Sequence, residues 1–360
     1  MLNDKELLIL YYLFYDMMYN FVKNYSYNCH FKLVVLKRFG KFFAIISCVF
    51  AVFSANAQDP QFTQFYANPL YLNPAFAGSM RCPRLTLNYR NQWPAIPRTS
   101  GYSTFVTTSA GYDQHIDAIS GGIGILVVND RQGGNIINTT TASGIYSYQI
   151  NINRNFSIKA GLQATFLQKF LDWDKLTFGD MIDQRYGFIY PTNEQRPGKL
   201  SKATVDFSAG ALGFSKKYYF GVAVHHLTQP DETLINGESK LPRKYTVHAG
   251  GIIPFKPRKP EEGSISPNIL FQQQQNFTQL NLGLYVTKGA FVGGLWYRNQ
   301  DAFILLIGVQ SDMFKMGYSY DITISKLSSN TAGSHELSMT FQFDCRPKRR
   351  RFRTISCPSF

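Results

Sequence analysis

Residues 279–325 alternate between apolar and polar side chains over four successive segments, and this period of two limits the whole chain to extended strands. Leu280, Leu282, Leu284 and Val286 share one face, while Gln279, Asn281, Gly283, Tyr285 and Thr287 share the other. Lys288-Gly289, Asn299-Gln300-Asp301 and Ser311-Asp312 break the run as tight turns. Met316, Tyr318, Tyr320, Ile322 and Ile324 then alternate against Gly317, Ser319, Asp321, Thr323 and Ser325. These strands are about twice the ~5–6 residues usual in soluble sheets. Long two-faced strands joined by short turns are what an antiparallel barrel needs to cross a bilayer, because closure leaves no unpaired backbone edge in hydrocarbon.

The N-terminal sequence is consistent with that destination. Lys37-Arg38 and Lys41 precede the apolar run Phe42–Phe53, and Ala55-Asn56-Ala57 supplies an A-x-A cleavage site before Gln58. Residues 37–57 therefore read as a secretory signal peptide, since the apolar run is too short for a spanning helix of ~20 residues. Residues 1–36 lie upstream of it and read as an extension that is no part of the mature protein. No later stretch reaches ~18 consecutive apolar residues. A secreted chain whose strands need lipid belongs in an outer membrane.

The chain carries a formal charge of +14; its first 57 residues hold six Lys/Arg and three Asp/Glu, which leaves +11 on the mature part. Six of those charges crowd into Arg346–Arg353, including Arg349, Arg350 and Arg351, so the excess is a local tail. Outside the cytoplasm such a tail meets protein or anionic lipid rather than nucleic acid. Three cysteines remain after cleavage, Cys82, Cys345 and Cys357, without C-x-x-C metal spacing. One disulfide can form among them; Cys345 with Cys357 is one option, and the spacing does not choose.

The mature chain opens with Q-D-P-Q-F-T-Q-F-Y-A-N-P-L-Y-L-N-P-A-F-A-G-S-M. The steps Asn68-Pro69 and Asn73-Pro74 impose turns. This stretch is too apolar for a solvated linker, so residues 58–84 are expected to pack as an arm or plug. Strands follow at about 85–93, 101–113, 119–130, 138–152, 155–171, 203–216, 217–228, 243–255, 264–276, 277–288, 289–300, 301–311, 313–325 and 333–345. That is an even number, fourteen, as bacterial barrels require, within a barrel domain 85–345 followed by a basic tail 346–360. Long connections (94–100, 131–137, 172–202, 229–242, 326–332) gather on one side and tight turns on the other. Two connections break the rule: 256–263 is long on the short side, and the turn near Asn276 is short on the long side. The long loops are expected outside, and both termini, with the tail, in the periplasm. Lys159, Gln163, Thr165, Gln272, Gln274, Asn281 and Asp321 are expected to face a polar lumen. Aromatics, 15% of the chain, are expected to form girdles at the two membrane interfaces.

Several segments resemble one family. D-P-Q-F-T-Q-F-Y-A-N-P-L-Y-L-N-P-A-F-A-G (59–78), N-Y-R-N-Q-W-P (88–94), F-L-D-W-D-K-L-T-F-G-D-M-I-D (170–183), H-H-L-T-Q-P-D-E (225–232), L-P-R-K-Y-T-V-H-A-G (241–250), S-P-N-I-L-F-Q-Q-Q (266–274) and C-P-S-F (357–360) together are similar to PorP/SprF type IX secretion system membrane proteins. The resemblance spans the mature chain. It implies a non-enzymatic outer-membrane barrel that helps a large protein with a C-terminal sorting domain, such as a gliding adhesin, to be secreted and held at the surface. The implied partners are that adhesin, other type IX secretion or gliding components, and outer-membrane lipid. The residues expected to meet a partner are Phe62, Phe65, Tyr66 and Tyr71 in the arm, Trp173, Asp180 and Asp183 in the longest loop, and Arg349, Arg350 and Arg351 in the tail.

Other motifs were weighed for chemistry and assigned none. His225-His226 with Asp231 and Glu232 resembles a metal set, but adjacent strand residues face opposite ways. Ser334-His335-Glu336 diverges for the same reason and lacks an oxyanion donor. The acids of 172–202 lack D-x-D-x-D-G spacing for calcium. No catalytic residue, metal or cofactor is expected. A diffusion porin is the alternative reading, decided by whether the lumen is open.

Overall fold

The computed structural model describes residues 59–80, 82–96, 105–153, 155–234, 237–256, 262–324 and 331–343. These all lie in one compact unit, 57–360. The expected signal peptide, the upstream extension and the basic tail with Arg349, Arg350 and Arg351 lie outside the described residues.

Fourteen long antiparallel strands form the wall: β1 (Arg84–Gln92), β2 (Phe105–Ile116), β3 (Gly121–Gln132), β4 (Ile137–Asn151), β5 (Ser157–Leu171), β6 (Ser201–Phe214), β7 (Tyr218–His225), β8 (Lys244–Gly251), β9 (Ser264–Gln274), β10 (Phe277–Lys288), β11 (Phe291–Arg298), β12 (Ala302–Gln310), β13 (Phe314–Thr323) and β14 (Ser334–Gln342). Each pairs with its neighbour in sequence, and β1 pairs with β14 from Arg84↔Gln342 to Gln92↔Ser334, which closes the barrel. Every strand expected from the alternation is present. A barrel edge would expose unpaired N–H and C=O groups to lipid, and closure removes it.

The loop asymmetry is also present. The connections after β1, β5, β7 and β13 are long, and those after β4, β6, β10 and β12 are tight. The two exceptions stand as well, at 252–263 and at 275–276, but the connection after β3, expected to be long at 131–137, is the tight turn 133–136, because β3 and β4 stay paired out to Gln132↔Ile137. Outward side chains such as Ile125, Leu162, Phe166, Leu284, Leu305 and Ile307 are large, apolar and exposed. In water this belt would be costly, at ~25 cal/mol per Å² of apolar surface; in hydrocarbon it is the solvated face. Outward aromatics lie toward both ends, Tyr148, Phe156, Tyr218 and Phe291 at the short-turn end and Tyr89, Phe170, Tyr245 and Phe303 at the other.

The lumen is filled by the N-terminal arm. Asn68 and Asn73 each precede a proline that starts a helical turn, Pro69–Leu72 and Pro74–Phe76. Proline fits there because its missing N–H would be unpaired in a first turn anyway. The Asn73 carboxamide oxygen caps the second turn by accepting from Ala75 N at 2.9 Å. Phe65, Tyr66, Leu72 and Phe76 bury against Leu212, Tyr219, Tyr285 and Trp296 of the wall.

The described arm begins at the opposite end of the barrel from the start of β1. Asp59, its first described residue, lies beside His226, Lys244 and Gln274 at the long-loop end. Ala77 and Gly78 lie beside Ser147, Lys159 and Asp113 toward the short-turn end, where β1 begins. The arm thus descends the whole barrel before the first strand climbs back. The two ends of the barrel itself, Arg84 and Gln342, do share the short-turn end.

Candidate functional site: the arm and its lumen

Buried charges organise the upper lumen. Arg90 of β1 reaches Asp321 at 3.1 Å and Glu336 at 3.3 Å, and Arg298 reaches the same Asp321 at 3.3 Å. Two guanidiniums therefore face two carboxylates. A buried charge set survives only when balanced and hydrogen-bonded, and the arm supplies bonds. Thr63 N and Gln64 N donate to the two Glu336 carboxylate oxygens at 2.5 and 3.0 Å, and Thr63 Oγ1 donates to Asp321 at 2.8 Å. The Gln64 carboxamide donates to the Glu336 carbonyl at 3.0 Å and accepts from Ser338 Oγ at 2.6 Å.

At the mouth, Asp59 accepts from His226 Nε2 at 2.8 Å, Lys244 Nζ at 3.3 Å and Gln274 Nε2 at 3.2 Å. His226 Nδ1 reaches Asp206 at 2.7 Å, so the ring bridges two carboxylates. Burial would raise the Asp59 carboxyl, but His226 and Lys244 outweigh it and hold it well below the usual carboxylate range. Burial likewise opposes a charged His226, but Asp59 and Asp206 overcome it and raise the ring to about 9.

His226 also corrects the strand argument about the histidine pair. The strand stops at His225, and His226 takes a left-handed φ of 58°, so it does not continue the alternation. Both rings are largely buried, their centroids 6.4 Å apart. Among the described residues no group of three His, Cys, Asp or Glu is placed to hold a metal ion.

At the lower end, Ala77 O accepts from Lys159 Nζ at 2.5 Å and Ser147 Oγ at 2.6 Å. Gly78 N donates to Asp113, which also takes the Arg84 fork at 2.8 and 3.0 Å. The wall is glycine where the arm presses on it. A Cβ at Gly122 would strike Ala77 O, and one at Gly161 would strike the Pro74–Ala75 peptide. A cavity of about 10 Å³ remains near the mouth, beside Gln61, Phe62, Phe65, Tyr71, Lys244 and Gln272. That is the room of about one water.

The expected partner residues fall into different places. Phe62, Phe65 and Tyr66 are buried, and Tyr71 is partly buried with its hydroxyl donating to Pro60 O at 2.5 Å. In this structure their surface is taken up inside the barrel. Asp180 and Asp183 belong to the long loop after β5. Asp180 accepts from Thr192 Oγ1 at 3.0 Å and Asn193 N at 2.6 Å. Asp183 accepts from the Arg185 and Tyr186 N–H groups and the Tyr190 hydroxyl, which hold its carboxyl below the usual range. These acids shape their own loop. They place the two-residue hairpin Ile182–Asp183 with Gly187–Phe188 and leave Tyr186, Phe188, Ile189 and Tyr190 exposed. Trp173 packs on Phe178, centroids 4.9 Å apart. Cys82 is disulfide-bonded; Cys345 and Cys357 lie outside the described residues.

Arg90, Glu336 and His226 are the functional residues that no periodic argument picked out. Arg90 and Glu336 do occupy the inward parity of their strands, so alternation carries a signal for them.

Among solved structures the chain is similar, at low identity, to several outer-membrane proteins. The Ralstonia pickettii toluene transporter TbuX matches at 9% identity with a TM-score of 0.43, covering 76% of this chain and 93% of that one. A Pseudomonas aeruginosa FadL homologue matches at 13% and 0.40, covering 76% and 93%. The KdgM porin matches at 8% and 0.37, covering 72% and 99%. No curated protein matches the chain significantly. The family described as type IX secretion system membrane protein PorP/SprF matches residues 54–341. The motifs, the closed barrel and this match over most of the chain agree: the protein belongs to the PorP/SprF family and is an outer-membrane component of type IX secretion.

Proposed function

We propose that the barrel works by binding rather than chemistry, supporting secretion and surface anchoring of one large protein with a C-terminal sorting domain, such as a gliding adhesin. Its outer loops, with Trp173, Asp180 and Asp183, receive the cargo. Its short-turn end, both barrel ends and the Arg346–Arg353 tail face the periplasm and meet other secretion components or anionic lipid. Residues 37–57 are removed as a signal peptide. The observation that carries a binding role is the filled lumen. An arm descending from Asp59 to Gly78, bonded to the wall at both ends, favours a docking platform over a diffusion pore.

A clean deletion strain compared with its complemented parent tests this. Loss of one large surface protein is expected. Loss of many sorting-domain proteins would instead make the barrel a general part of the machine, and an unchanged surface and secreted profile would overturn the secretion role. Replacing Phe62, Phe65, Tyr66 and Tyr71 together with Ser is expected to impair barrel assembly or cargo display.

A further inference from the structure

We propose that the arm is a one-ended plug: residues 59–64 form a releasable latch at the long-loop mouth, residues 73–78 form a fixed seat, and release of the latch opens the upper lumen. This device stands on the barrel alone and holds whether or not the secretion role does.

The covalent layout sets the direction. The arm runs into β1 at the short-turn end, only a few residues after Gly78, so the end that is not joined to a strand of the wall is the one at the mouth. The two ends are also held differently. Asp59 is held by groups at strand ends and in the loop after β7: His226, Lys244 and Gln274, with Asp206 behind His226. The Asp59, His226 and Lys244 side chains keep 12%, 15% and 8% of their surface in solvent. Water can replace such bonds one at a time, so opening there is a local event. Thr63 and Gln64 are buried but are held by polar groups rather than by backbone packing, and the Phe62 ring rests on Tyr71 of the arm itself, 5.1 Å between centroids.

The seat offers no such route. Ala75 and Ala77 are wholly buried. Ala77 O is taken by Lys159 and Ser147, and Asn73 Nδ2 donates to the Ala211 and Val222 carbonyls at 3.2 and 3.1 Å. Backbone lies directly on Gly122 and Gly161, and the Asn73 carboxamide fills the space over Gly210. Close packing of this kind separates all together or not at all. Peeling from the mouth would uncover Arg90, Arg298, Asp321 and Glu336 while the seat stayed closed.

Single reporter cysteines at Thr63 and Ala75 test the device on the purified barrel in detergent, with a bulky hydrophilic maleimide as probe and the parent's own thiol signal subtracted. Removing the mouth bonds with Asp59→Asn and Lys244→Met should raise labelling at position 63 by about tenfold, as an opening made ~1.4 kcal/mol easier requires, and leave position 75 unlabelled. Asp59→Asn alone serves if the double variant does not give the folded, heat-modifiable band, and Gln61→Cys is the second reporter. Equal rises at 63 and 75 would mean the arm leaves as one body. No change at 63 would mean the mouth bonds do not latch it. Either result overturns the proposal.

Discussion

The upper and lower halves of the arm lie in one lumen and are held by different means. Near the mouth the wall offers charge: Arg90, Asp321, Glu336, His226 and Lys244 all meet the arm through hydrogen bonds or ion pairs. Near the short turns it adds close backbone contact at Gly122 and Gly161 to the hydrogen bonds from Lys159, Ser147 and Asp113. Polar fixation is selective about partners and yields to water. Steric fixation is indifferent to pH and salt and fails only when volume changes. The comparison teaches that the inner wall is graded along its length, although the outer wall is uniformly apolar.

The largest expected effect comes from Glu336→Ala. It removes the carboxylate that pairs with Arg90 and accepts from Thr63 N and Gln64 N, and breaking a buried pair this way costs ~3–5 kcal/mol. A lower temperature for loss of the heat-modifiable band should report it, with labelling at position 63 rising and position 75 unaffected. Gly161→Val comes next. Its side chain would meet the Pro74–Ala75 backbone, and overpacking costs ~1–3 kcal/mol. Here position 75 should become reactive; a variant as stable and as closed as the parent would show that the seat is looser than its geometry.

The smallest effect is a pH dependence confined to the mouth. The folded His226 value, about 9, lies above the unfolded 6.5, so its stabilisation is complete below pH 6.5 and lost as pH rises through about 9. Asp59 is displaced downward, so its contribution is present above its ordinary value of 3.8 and lost only as pH falls well below it. The groups around the ring are Asp59, Asp206, His225 and Lys244. Labelling at position 63 should therefore climb above pH 8 while position 75 stays flat, and His226→Phe should abolish the climb. A climb that persists in His226→Phe would assign it to another group.

Much of this was legible in the sequence. Alternation located all fourteen strands and put Lys159, Gln163, Gln274, Asn281 and Asp321 on the inner face, because parity alone decides the side in a strand. The apolar, proline-broken stretch before the first strand could be read as an arm for want of any other place to bury Phe62, Phe65, Tyr66 and Leu70. Its direction could not. That depends on Asp59 finding His226 and Gln274, 167 and 215 residues away, and no local rule links them. His226 escaped because alternation was carried to 228, three residues past the strand's end at His225. Asp183 of the long loop also accepts from the loop's own N–H groups, a local use that its spacing does not announce, since Asp accepts from backbone two or three residues on at little cost.

Planar-bilayer conductance of the mature barrel, set beside a form lacking residues 59–78, tests the central claim most directly. The claim is that the arm closes the lumen. The intact protein should be nearly silent, and the shortened one, shown to be folded by its heat-modifiable band, should carry steady current. Steady conductance in the intact protein, or silence in both, would contradict it.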